Sequence, residues 1–238
     1  MDQIIALGGG GFSMEPGNDL LDTYILDQAS SDEPKICFLA TASGDAEGYI
    51  DRFYEFFKRK NCIPSHLSLF KPHTRDLERF LLAQDIIYAG GGNTKNLLIL
   101  WKEWGMDKIL HKALEQGIVL AGLSAGSICW FEEGVTDSYG DGLEPLTALG
   151  FLNGSHCPHY DGELERRPSY KAFIADSVLK PGYAADDGAA LHFIDGKLER
   201  VVCSRPHAAA YFVKEQNGQA VESKLDTIFL GQEEQKGS

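Results

Sequence analysis

Short apolar runs alternate with segments of helical periodicity over the first two-thirds of the chain. Gln3–Leu7 is an apolar run that ends on four glycines, residues 8–11. Residues 19–29 follow with Leu20, Leu21, Tyr24 and Ile25 at helical spacing, and residues 35–40 read as a second buried strand. Residues 47–60 repeat Tyr49, Ile50, Phe53, Phe56 and Phe57 on one helical face, with Asp45 as the candidate cap. A third strand is expected at 66–70, a helix at 74–83, a fourth strand at 85–89 and a fifth at 118–121. Helical patterns at 94–101 and 106–116 separate the last two strands. Strand–helix alternation implies parallel crossovers, hence a sheet covered by helices on both faces.

In such sheets ligands gather at the carboxyl ends of the strands. Three glycine clusters, 8–11, 90–92 and the pair Gly122/Gly126, each follow a strand directly and so are expected on one edge of the sheet. After about residue 180 the apolar runs shorten (Ala189–Ile194, 198–203, 208–213), and Asp195-Gly196 marks a hairpin turn. The expectation is a peripheral C-terminal antiparallel extension. A single α/β domain over 1–230 followed by a polar tail, 231–238, accounts for the whole pattern.

Composition narrows the function. A hydrophobic fraction of 43% supports one sizeable core. Only 22 basic residues face 35 acidic ones, a net charge of −13, which argues against nucleic acid as a partner. No apolar stretch approaches the length of a membrane span, and the first residues lack the cationic start of a signal peptide. The five cysteines are scattered, odd in number and free of Cys-x-x-Cys pairs, which points to a reducing, cytoplasmic setting. Oligomeric state is not legible.

The sharpest chemical signal is Gly122-Leu123-Ser124-Ala125-Gly126, a Gly-x-Ser-x-Gly pattern between an apolar run and a possible helix start. A nucleophile elbow needs small residues two positions either side of a strained serine, whose hydroxyl then stands exposed beside the next N–H. The bland alternative is a tightly packed strand-to-helix turn. Gly90-Gly91-Gly92-Asn93-Thr94 reads either as an anion site built from bare amides or as a turn capped by Asn93 or Thr94. It lacks the Lys-Ser/Thr of a phosphate loop, and residues 8–11 lack dinucleotide-fingerprint spacing. A serine nucleophile needs a base and an orienting acid. Spacing leaves His156, His159, His192 and His207 all open as the base. The cluster His156, His159, Asp161, Glu163 lacks the spacing of known zinc motifs, so no metal is expected.

Three passages carry a family likeness: Gly90-Gly91-Gly92-Asn93-Thr94, Gly122-Leu123-Ser124-Ala125-Gly126-Ser127 and Cys157-Pro158-His159-Tyr160. In their order and spacing the chain resembles the peptidase E family, the bacterial aspartyl dipeptidases and their cyanophycinase relatives. The likeness runs from the first strand to about residue 205. It implies a three-layer α/β/α fold with a mostly parallel sheet, of the class I glutamine amidotransferase-like (flavodoxin-like) kind. It implies Ser124 as nucleophile and His159 as base, with the oxyanion held by the N–H of Ala125 and one from Gly91 or Gly92. The family's Pro-Glu-Gly acid corresponds to Asp187 in Asp186-Asp187-Gly188, an aspartate in place of a glutamate; a competing assignment is Asp137. The implied substrate is a short peptide with N-terminal Asp, its carboxylate met by Arg166 or Arg167, with no cofactor. The alternatives are another amide or ester acyl hydrolase on the same scaffold, or a non-catalytic homologue acting as a binding protein.

Overall fold

The computed structural model describes residues 1–231; the expected polar tail lies outside the described residues apart from Gly231. Strands β1 (Gln3–Leu7), β2 (Lys35–Leu39), β3 (Ile63–His66), β4 (Ile86–Ala89) and β5 (Val119–Leu123) form a parallel sheet in the order β1-β5-β4-β2-β3. Helices α1 (Gly11–Met14), α2 (Leu20–Leu26), α3 (Glu47–Phe57), α4 (Leu77–Leu81), α5 (Thr94–Glu103) and α6 (Met106–Glu115) lie between these strands in sequence. Strand alternation sorts the core into two layers. Ile5, Leu7, Phe38, Tyr88 and Val119 pack with Phe12, Leu21, Ile25, Phe53 and Phe57 of α1–α3. Ile4, Ala6, Leu39, Ile87 and Leu120 face the other way, onto Leu81, Leu97, Trp101, Leu110 and Ala113 of α4–α6. The expected three-layer arrangement is the one observed.

Two local expectations are corrected. The third strand is Ile63–His66, at the sheet edge where Pro64 can lack an N–H without breaking an inner ladder. The following amides of Leu69 and Phe70 are taken by Asp45 Oδ2 at 3.0 and 3.3 Å. Asp45 therefore ties down that segment and does not cap α3, whose N-cap is Ala46.

Beyond α7 (Ala125–Ile128) the chain builds a second sheet that the apolar pattern did not disclose. It holds β6 (Phe131–Thr136), β7 (Glu144–Thr147), β8 (Leu152–Cys157) and β9 (Gly182–Ala185), with α8 (Arg166–Ala175) packed on Val135, Cys157 and Ala184 through Tyr170 and Ile174. The expected C-terminal extension is divided between the sheets. The hairpin β10 (Ala189–Ile194) and β11 (Lys197–Cys203) turns at Asp195-Gly196, both at positive φ, and joins the first sheet antiparallel to β1. Strands β12 (Ala210–Gln216) and β13 (Gln219–Lys224) extend the second sheet, and β14 (Thr227–Phe229) returns to pair with β11.

Candidate active site

Register places the ends of β1, β5 and β4 side by side: Leu7 pairs with Leu123 and Gly122 with Ala89. Just past β5, Ser124 has φ 54° and ψ −119°, a conformation that costs about 1–3 kcal/mol for a residue with a side chain. The packing that imposes it is backbone on backbone. A Cβ built at Gly122 would overlap the carbonyl of Gly126, and one at Gly126 the carbonyl of Ala89. The amides of Ser127 and Ile128 donate to Ser124 O, whereas the Ala125 N–H at the helix start has no acceptor among the described residues. The bend is braced from below. Ser127 Oγ lies 2.8 Å from Ser124 O and 3.1 Å from His156 Nε2, and His156 Nδ1–H donates to Tyr183 O at 3.1 Å. His156 is fully buried and stacked on Phe131; burial pushes its pKa down to about 3, so it stays neutral and in place.

The end of β1 gathers the other groups. Three successive carbonyls accept amides from three separated parts of the chain: Leu7 O from Ser124 (3.4 Å), Gly8 O from His159 (3.1 Å) and Gly9 O from Gly188 (3.0 Å). His159, at φ 55°, donates Nδ1–H to Asp187 Oδ1 at 2.6 Å, and both side chains are about nine-tenths buried. The carboxylate is confined on two sides, since a Cβ at Gly9 or at Gly162 would overlap an Asp187 oxygen. Asp187 N–H donates to Asp161 Oδ1 at 2.8 Å, fixing the loop from which the acid projects. With Nδ1 protonated and engaged, His159 Nε2 is the basic nitrogen. Among the described residues no hydrogen bond joins it to the Ser124 hydroxyl.

The glycine turn after β4 lies against this site: a Cβ at Gly91 would stand 3.2 Å from Ser124 Cβ. Its amides can be followed one by one. Gly90 N–H donates to Leu39 O (3.0 Å), Gly91 to Tyr49 Oη (3.2 Å), Asn93 to Ala42 O (2.8 Å) and Thr94 to Ser138 Oγ (2.8 Å). Gly92 N–H alone has no acceptor among the described residues. The helix start itself is occupied, because Asn93 Oδ1 caps Asn96 and Ser138 Oγ also takes Lys95 N–H. The capped-turn reading of residues 93–94 is the one observed, and only the glycine amide remains open to an anion.

Other expected site residues fall elsewhere. Asp137 is 64% exposed and lies 3.9 Å from Arg166, so it does not stand behind His159. Arg166 is 3% exposed and bonds Val135 O and Glu163. Arg167 is clamped by Glu222 and sandwiched against Tyr160 and Tyr211 at 5.1 and 5.0 Å. Neither presents an unengaged guanidinium. Arg205, which sequence reasoning missed, keeps both terminal nitrogens open: its stem lies along Gly188, and only Nε is engaged, donating to Glu15 Oε1 at 2.7 Å. His156 and His159 each serve different partners, and no group of three metal-ligating side chains converges among the described residues.

A strained serine at the end of a parallel strand, with a histidine–carboxylate pair anchored to the neighbouring strand, is an arrangement suited to acyl transfer. The comparisons agree on the class. The model of peptidase family S51 matches residues 4–201, and the chain belongs to that family, which makes it an enzyme of the serine-type peptidase class. An uncharacterized peptidase, YgaJ, of Bacillus subtilis (strain 168) is 59% identical over 231 residues, 97% of this chain and all of the relative. The fold is shared with a peptidase from an acI-B1 Actinobacterium (TM-score 0.70, 15% identity, 95% of each chain). It is shared also with a putative peptidase E protein from Listeria monocytogenes EGD-e (TM-score 0.57, 16% identity, 95% of this chain and all of the other).

Proposed function

We propose that the chain hydrolyses short peptides through an acyl-enzyme on Ser124, with His159 as general base and Asp187 as its orienting acid. The observation that carries this reading is the 2.6 Å His159–Asp187 hydrogen bond on the same three-carbonyl scaffold that holds Ser124. His159 Nε2 takes the Ser124 proton as Oγ attacks the scissile carbonyl; catalytic hydrogen bonds of this kind commonly tighten only in the substrate complex. The Ala125 and Gly92 amides receive the oxyanion, since the Gly91 amide already has an acceptor. His159 then returns the proton to the leaving amine, and a water activated by the same base releases the acid.

The substrate in this reading is a peptide with N-terminal Asp, and the reaction uses no cofactor and takes place in the cytoplasm. Arg205 replaces Arg166 and Arg167 as the cation for the substrate carboxylate. Its two terminal nitrogens have no partner among the described residues, and Glu15 holds it beside the Asp187 loop. The test is hydrolysis of a panel of Asp-X and Ala-X dipeptides by wild type, Ser124→Ala and Arg205→Gln. The expected result is turnover by wild type, none by Ser124→Ala, and a raised KM for Asp-X alone in Arg205→Gln. Unchanged turnover in Ser124→Ala rules out the mechanism. Equal cleavage of Ala-X and Asp-X rules out the specificity and leaves the mechanism standing.

A further inference from the structure

Tyr49 belongs to a helix, α3, that carries none of the motifs of the elbow or the dyad, yet its hydroxyl touches the site. The ring is 7% exposed and wedged between Phe38 (centroids 5.0 Å apart, near-perpendicular) and Phe12 (5.8 Å). Its edge lies directly on the glycine backbone: a Cβ at Gly90 would stand 3.1 Å from a Tyr49 ring carbon and 2.8 Å from Phe38. Oη accepts the Gly91 N–H at 3.2 Å. A tyrosine hydroxyl pointed at an internal amide normally reads as satisfied packing. Here the amide belongs to the turn that abuts Ser124.

The consequence follows from peptide planarity. Gly91 N–H fixes the 90–91 peptide plane, and Asn93 N–H, bonded to Ala42 O, fixes the 92–93 plane. The 91–92 plane is suspended between them and carries the one unpaired amide of the turn, Gly92 N–H. Glycine has little intrinsic preference to hold such a plane, so an external anchor decides its direction. We infer that Tyr49 is a positioning residue for acyl transfer: by taking the Gly91 N–H it aims the Gly92 N–H at the oxyanion forming on Ser124. Burial raises the phenol's pKa, which keeps it a neutral hydroxyl able to accept that bond throughout the working range. The inference rests on the Ser124 mechanism proposed above.

The test compares wild type, Tyr49→Phe and Ser124→Ala. Phenylalanine keeps the ring packing and removes only the hydroxyl. Four quantities are read: kcat and KM on the best dipeptide, the rate of Ser124 labelling by a fluorophosphonate, and hydrogen exchange at the Gly91 amide. Tyr49→Phe should lower kcat about 10- to 100-fold with KM within about twofold, because the lost alignment acts on the transition state. Labelling should slow by a similar factor, since the phosphonyl oxygen enters the same amide pair, and Gly91 exchange should accelerate. A residue that merely fills the core would move stability and leave this kcat–KM split untouched. Wild-type kcat and labelling in Tyr49→Phe, with Ser124→Ala inactive, overturn this inference alone. Activity or labelling that persists in Ser124→Ala overturns the mechanism and this inference with it. Fast Gly91 exchange in wild type overturns the anchor directly.

Discussion

Asp187 does two things to His159 through one hydrogen bond. It places the proton on Nδ1, and it holds the ring so that Nε2 keeps its direction. An asparagine in its place has nearly the same shape but can offer an N–H, which turns the imidazole to the wrong tautomer. Asp187→Asn is expected to lower kcat by about 10³–10⁴-fold while the protein stays folded. Asp137→Asn alters an exposed side chain near Arg166 and should stay within about twofold of wild type. Steady-state kinetics on the two variants decides between the acids, and the reverse ranking would hand the role to Asp137. Lengthening the acid should not help, although the family pattern has glutamate here. Gly9 and Gly162 close on the carboxylate so tightly that neither has room for a Cβ beside it. The shorter acid and the bare glycines around it are one design, so Asp187→Glu should also lose activity.

At the scale of elements, the end of β1 is what assembles the site, and it does so with backbone alone. Residues 7–9 offer one carbonyl each to Ser124, His159 and Gly188, so groups 29 and more residues apart in sequence share one short template. Gly9 is the tightest point, because a Cβ there would overlap Asp187 and come within 2.9 Å of the His159 ring. Gly9→Ala is expected to reduce kcat at least about 100-fold, a displacement of about an ångström being enough to misalign acyl transfer. Its fold, checked by circular dichroism, should be retained; wild-type turnover would show that the template tolerates displacement. This element also marks what the sequence could and could not convey. Ser124 and the glycine turn were legible because elbow and turn are local, with small residues at fixed offsets. The run of glycines at 8–11 looked like a failed nucleotide fingerprint, because carbonyl acceptors leave no side-chain signature. Strands β6–β8 escaped for a related reason. They are short; β6 and β8 are interrupted by Glu132, Glu133, Asn153 and Gly154, and β7 buries only Leu146. Arg205 and Tyr49 come from segments remote from every motif, and only the fold brings them to the site.

Across the whole molecule, burial sets the balance of charge in a way that net charge of −13 does not reveal. His156 and His192 are buried and held neutral, their pKa values pushed down to about 3 and about 4 by desolvation. Each is protonated more readily in the unfolded chain, so each makes stability rise with pH up to the ordinary histidine value near 6.5. Asp22 works in the opposite sense. It is fully buried, neither carboxylate oxygen has a hydrogen-bond partner among the described residues, and desolvation lifts its pKa from 3.8 to about 7. Between those values the folded state holds a proton that the unfolded state has released, so stability falls as pH rises from 3.8 through about 7 and then levels off. Asp186, raised to about 6, adds to the fall over a narrower range. Above pH 6.5 the histidine contributions are complete, and of these four groups Asp22 has the largest remaining effect. Asp22→Asn keeps the neutral shape without the proton. Its stability advantage over wild type should therefore widen between pH 5 and pH 8 by roughly 2–3 kcal/mol, about two pKa units' worth at 1.36 kcal/mol each. Urea unfolding of both proteins at the two pH values measures that change. A gap that stayed constant or narrowed would mean that the Asp22 carboxyl ionises in the folded protein as easily as in the unfolded chain, and that something other than burial governs the alkaline limb.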